Sequence, residues 1–126
     1  MRLVSFETGG TLGAGFLDGD EVVLVRKGAG AERAVLEVIE RGTEEVAAWE
    51  AVRPRGERLP LGAVRLLAPM PEPRRNILCV GKNYRAHAAE VQGIATKDPV
   101  PASPILFTKA TAAVVGPGAT VRASPS

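Results

Sequence analysis

Pro69-Met70-Pro71-Glu72-Pro73 places prolines at three alternate positions. Each proline holds φ near about −65° and has no N–H to donate, so neither a helix nor an internal strand can run through the segment. The chain must organise on either side of it. The expected division is a small N-terminal domain over residues 1–70 and a second domain opening over 71–126, joined by a stiff linker.

The first part reads as strands followed by helices. Residues 2–7 read as a short strand. Thr11–Leu17 and Glu21–Arg26 are further apolar-rich runs, and Asp18-Gly19 between them is a hairpin signal. Gly28 and Gly30 then break the chain, without the Gly-x-Gly-x-x-Gly spacing that a phosphate loop needs. Glu32–Arg41 has helical spacing, with Val35, Leu36 and Ile39 on one stripe. Gly42 should end that helix, and Thr43 should cap the next, with Glu44 and Glu45 in its first turn. Val46, Ala47, Trp49 and Ala51 give this second helix an apolar side. Residues 1–52 therefore predict a hairpin-plus-helices lobe.

The stretch from Arg53 to Arg75 holds Arg53, Arg55, Arg58, Arg65, Arg74 and Arg75. Such a strip can bind a polyanion, but no aromatic residues interleave to stack on bases. It reads instead as a solvated connector facing the acidic helices, with one strand at Val64–Leu67.

Beyond the linker, Asn76–Gly81 is a buried-strand run ending in glycine. Tyr84–Val91 fits one or two helical turns, and Gly93–Pro104 is a proline-rich loop. Ile105–Lys109 is another strand. Val114-Val115-Gly116-Pro117-Gly118 reads as a strand end and turn, and Thr120-Val121 as the start of a further extended piece. The predicted class is α+β, mainly β.

Composition narrows the function. Apolar residues make up 45% of the 126-residue chain and charged residues 24%, which suits a folded, water-soluble protein. Sixteen basic against 14 acidic side chains leave a net charge of only +2, so no strongly basic, nucleic-acid-like surface is expected. One Cys excludes a disulfide framework and a four-Cys zinc site, and one His excludes a His-rich metal site. No stretch is long enough to span a membrane, and the first residues form no hydrophobic signal segment. A reduced cytoplasm is the expected compartment. Asn76, Asn83 and Gln92 are the only amides, a compositional hint of a heat-adapted source.

The chemistry-bearing residues concentrate in Gly81-Lys82-Asn83-Tyr84-Arg85-Ala86-His87-Ala88-Ala89-Glu90. This stretch contains the only His and the only Tyr. On a helix His87 and Glu90 share a face. A carboxylate beside an imidazole orients it and raises its basicity, as a general base requires. The same spacing also suits an ordinary surface pair. Cys79, in an apolar strand, reads as a buried structural thiol. Lys109 at a strand end can either project a cation into a site or face solvent.

Leu78-Cys79-Val80-Gly81-Lys82-Asn83-Tyr84, with His87 and Glu90, resembles the signature of the fumarylacetoacetate hydrolase family. Pro104-Ile105-Leu106-Phe107-Thr108-Lys109 is similar to the family's Pro-x-x-Phe-x-Lys strand, and Gly116-Pro117-Gly118 and Pro125 continue the likeness. The first seventy residues look like the small N-terminal domain of bacterial isomerase-type members. The resemblance implies the opening strands of a curled β-sheet catalytic domain. It implies a hydrolase, isomerase or lyase acting on short 2-oxo or 2-hydroxy-dienoic acids, of the 2-hydroxyhepta-2,4-diene-1,7-dioate isomerase, acylpyruvate hydrolase or oxaloacetate decarboxylase type. In that reading a divalent metal, Mg2+ or else Mn2+ or Ca2+, stabilises an enolate. His87 is the base and Glu90 its partner. Lys82, Tyr84 and Lys109 contact the substrate's anionic oxygens, and Gly93–Pro104 serves as a lid. The family's metal ligands are acidic residues, including a Glu-x-Glu pair. Downstream of Lys109 this chain has Arg122 as its only charged side chain. The metal ligands are therefore expected beyond Ser126, in a longer enzyme that is a homodimer when complete. The alternative is an inactive fragment serving as a binding or assembly module.

Overall fold

Apolar-rich runs separated by two-residue turns make the first three strands an antiparallel meander. The computed structural model describes residues 1–82 and 103–122. β1 (Arg2–Thr8), β2 (Thr11–Asp18) and β3 (Glu21–Lys27) are followed by helices α1 (Ala31–Arg41) and α2 (Thr43–Glu50). β4 (Arg58–Pro60), a 3-10 turn at Leu61–Ala63 and β5 (Arg65–Leu66) close this part. The five strands form one sheet in the order β4-β3-β2-β1-β5, every neighbour antiparallel. Two further strands, β6 (Ile77–Gly81) and β7 (Ile105–Lys109), pair antiparallel in a separate ribbon. The chain divides into two compact units: residues 1–73 with 114–126, and 74–113.

The sheet of the first unit is apolar on both faces. Ala14, Phe16 and Val23 face the helices and pack with Ala31, Ala34, Val35, Val38 and Trp49. Val4, Phe6 and Val22 face the other way, where Leu59, Leu61, Val64 and Leu66 cover them. A half-barrel curl closes that second face. The curl has a local cause. The register shifts between Ala14 and Gly15, leaving Val25 as an extra residue on β3, and a bulge sharpens strand twist. A side chain at Gly15 would meet the Val23 carbonyl oxygen at 2.0 Å, so only glycine lets the strands approach this closely.

Two sequence expectations for the helices need correction. The buried stripe of α1 is Ala31, Ala34, Val35 and Val38, while Ile39 is 59% exposed. Small alanines let the helix sit close to the sheet, so the larger Ile39 is the residue left outside. Gly42 does end α1, its N–H bonding the Val38 carbonyl oxygen at 2.9 Å. Thr43, however, is the first residue of α2, and its side chain makes no cap hydrogen bond; Gly42 occupies the cap position.

The arginine-rich stretch is also more structured than a solvated connector. Arg58–Pro60 and Arg65–Leu66 are the two edges of the sheet. Proline is tolerated at Pro60 because it ends an edge strand. Arg53 binds Glu50 at 2.7 Å and Asp18 at 2.8 Å, with its guanidinium 4.5 Å from the centre of the Phe16 ring. Arg58 binds Asp18 at 2.7 Å and Glu21 at 2.9 Å, and Arg65 pairs with Glu7. Arg58, by hydrogen bond, and then Arg53 hold the Asp18 carboxyl below its ordinary range. Arg53 does the same to Glu50, and Arg26 to Glu37. Among the described residues no helix is long and apolar enough to cross a membrane.

Candidate functional site

The ribbon carries the described part of the candidate site. β6 and β7 are short β-branched and aliphatic runs, and their register is Ile77 opposite Lys109, Cys79 opposite Phe107 and Gly81 opposite Ile105. Alternation then puts Cys79, Ile105 and Phe107 on one face with Lys109. Leu78, Val80 and Leu106 point to the other. These side chains are exposed, with Leu78 at 68% and Leu106 at 61%. The expectation of a buried strand at β6 is thus not met by the ribbon itself. Two strands present two apolar faces, and burying both takes layers on each side.

Lys109 closes β7, its ammonium 5.8 Å from the centre of the Phe107 ring, two residues back on the same face. Lys82 follows β6 directly and holds φ at 48°, the one non-glycine with positive φ among the described residues. That backbone turns the chain sharply where β6 ends. Nothing in the sequence signals it, because lysine has no preference for this conformation.

Register shows which candidates come together. Lys82 lies past the Gly81–Ile105 pair, and Lys109 lies at the opposite end of the ribbon, across from Ile77. At about 3.4 Å per residue the two backbone positions are roughly 14 Å or more apart along the strands. The ribbon therefore offers a cation at each end and does not gather the two. His87, Glu90 and Tyr84, and residues 93–102 of the lid expected over Gly93–Pro104, lie outside the described residues. Cys79 is half-buried, its sulfur 3.9 Å from the Ile77 carbonyl oxygen.

Among the described residues no group of three or more His, Cys, Asp or Glu side chains converges as a metal cage. The described residues therefore do not fit a divalent cation.

Comparison with known proteins bears on both halves. Residues 1–69 match the family model described as Rv2993c-like, N-terminal, and residues 76–126 match that of the fumarylacetoacetate hydrolase C-terminal domain. The chain is 45% identical over 62 residues to the oxaloacetate tautomerase YisK of Bacillus subtilis, covering 49% of this chain and 20% of that protein. It is 42% identical over 67 residues to protein Rv2993c of Mycobacterium tuberculosis, covering 53% of this chain and 23% of that one. A mitochondrial oxaloacetate tautomerase of Rattus norvegicus is 36% identical over 88 residues, covering 68% of this chain and 26% of the relative. The matched stretch is thus about a quarter or less of each of these relatives.

Proposed function

The chain belongs to the fumarylacetoacetate hydrolase family, and from that premise we propose that, in a protein of its relatives' full length, it serves proton transfer on a short 2-oxo dicarboxylic acid. Oxaloacetate is the proposed substrate and keto–enol interconversion the proposed reaction. The observation that carries this is the 36–45% identity to oxaloacetate tautomerases of a bacterium and a mammal. Acylpyruvate hydrolysis and 2-hydroxyhepta-2,4-diene-1,7-dioate isomerisation are the neighbouring chemistries, because they pass through the same enolate.

The step balances without a redox partner. A base takes a proton from C3 of the keto acid, the C2–C3 bond gains double-bond character, and the electron pair moves onto the C2 oxygen. Protonation of that oxygen yields the enol. His87 is the proposed base and Glu90 its orienting partner, a carboxylate that keeps the imidazole basic. Lys82, Tyr84 and Lys109 are the proposed contacts to the substrate's carboxylate and 2-oxo oxygens. A divalent cation, Mg2+ or else Mn2+ or Ca2+, and a homodimer are part of the proposal for the longer protein.

The test is the decay of enol-oxaloacetate absorbance with the natural protein, alongside its intact mass. Accelerated decay, abolished in His87→Ala and by chelation, supports the reading. A natural product of 13.2 kDa that accelerates neither this reaction nor acylpyruvate cleavage overturns it in favour of a binding or assembly module.

A further inference from the structure

We propose that Phe107 is the positioning residue of Lys109: its ring, and not a carboxylate, seats the ammonium and holds it ready for an anionic oxygen of the substrate. The seat stands on the geometry of the ribbon alone. Only its use by substrate rests on the functional reading above.

Phe107 and Lys109 are two residues apart on β7, so they share a face. The ammonium lies 5.8 Å from the ring centre, within the range of about 6 Å over which the negative face of an aromatic ring attracts a cation. Register fills the rest of that face with uncharged side chains. Ile77 stands opposite Lys109, Cys79 opposite Phe107, and Ile105 opposite Gly81. Among these strand residues the ring is therefore the group with an electrostatic attraction for the ammonium. Phe107 is also 43% exposed. A ring so exposed is not there to fill a core.

The arginines of the other unit show what a different partner does. Arg26, Arg53, Arg58 and Arg65 are each fixed by a carboxylate, which balances their charge locally. In the ribbon's unit, residues 74–113, the charged side chains among the described residues are Arg74, Arg75, Lys82 and Lys109, all cationic. A ring restrains an ammonium without neutralising it, because it carries no net charge. It also accepts no full share of the three N–H donors, which stay available for a carboxylate or enolate oxygen.

Restraint matters because the lysine stem has four carbons and many rotamers. Ordering it only when substrate arrives would cost entropy at that moment. The ring orders it beforehand. The benefit falls on substrate binding and not on the proton transfer, which belongs to another group.

Two measurements test this. In the isotopically labelled wild-type chain, the ring current of Phe107 should shift the Lys109 ε-hydrogens upfield of the ordinary lysine position. Phe107→Leu should remove that shift. A wild-type chain without the shift overturns the seat whatever the enzyme does. In the longer protein, Phe107→Leu should raise KM for oxaloacetate about threefold, the strength of one exposed cation–ring contact, with kcat changed less than about twofold. Phe107→Tyr, which keeps the ring, should preserve both the shift and KM. In a Lys109→Ala background Phe107→Leu should have no further effect, since it acts through the ammonium. An unchanged KM in Phe107→Leu, or losses that multiply in the double variant, overturn the positioning role. Should Phe107→Leu fail to fold, Phe107→Tyr decides: loss of the shift or a raised KM there overturns the proposal. Should oxaloacetate not turn over at all, the functional reading fails while the seat is still judged by the wild-type shift.

Discussion

Ser5 and Pro69, far apart in sequence, are joined by a 2.8 Å hydrogen bond from the Ser5 hydroxyl to the Pro69 carbonyl oxygen. Ser5 is only 2% exposed, in the middle of β1. A polar residue at a buried strand position is costly unless paired, and here its partner is the start of the proline linker. Ser5→Ala should lower unfolding stability by about 1 kcal/mol, the net worth of one such bond. Trp49 is the only tryptophan and is buried in this unit, so its fluorescence reports urea unfolding of the lobe. An unchanged midpoint would mean that the linker is held by its backbone contacts alone.

The bulge at Gly15 is a sharper test of the curl. Gly15→Ala drives a methyl to 2.0 Å from the Val23 carbonyl oxygen, a backbone atom of the neighbouring strand. The strands must separate, and the expected loss is about 2–3 kcal/mol. Gly62→Ala is the control: nothing lies within 4 Å of the added methyl, and the change should stay within about 0.5 kcal/mol. Equal effects of the two substitutions, read by the same urea titration, would show that β2 and β3 have room to spare.

Much of this fold was legible because it rests on local patterns. Apolar-rich runs marked β1, β2 and β3 as well as β6 and β7, and Asp18-Gly19 marked a hairpin. What escaped was set by distant partners. Arg58-Leu59-Pro60 has no strand signature of its own; it is a strand because Leu59 pairs with Val22. α1 offered two plausible stripes, and only the sheet's demand for close approach selects the alanines over Ile39. The close approach of Gly116 to Leu67 leaves no trace in either segment. At the candidate site, the strand-end placement of Lys82 and Lys109 could be read in advance. The register that sets them apart could not, because it belongs to the pairing and not to either strand.

The arginine–carboxylate group makes the lobe acid-sensitive. Asp18 is depressed chiefly by its Arg58 hydrogen bond, Glu50 by Arg53 and Glu37 by Arg26. A carboxyl whose folded pKa lies below its unfolded value stabilises fully above the unfolded value. That contribution is lost as pH falls through the folded one. Melting temperature should therefore be flat from about pH 5 to 8 and fall below about pH 4. Asp18→Asn should lower the plateau and make the acid fall shallower, because one linked proton is removed. Parallel acid limbs in thermal melts of variant and wild type would place the pH dependence elsewhere.

Lys82 can be separated from its own backbone. With φ at 48° it occupies a conformation that costs a non-glycine residue about 1 kcal/mol and that glycine adopts freely. The turn at the end of β6 would be served by glycine, so what lysine adds is its side chain. Lys82→Gly should therefore keep the turn, while kcat/KM for oxaloacetate in the longer protein falls at least about tenfold, the equivalent of about 1.4 kcal/mol in the transition state. Lys82→Ala should lose activity equally, since it removes the same ammonium. A Lys82→Gly enzyme with wild-type kcat/KM would remove this ammonium from the substrate's surroundings and leave Lys109, opposite Ile77 in the ribbon, as the candidate cation.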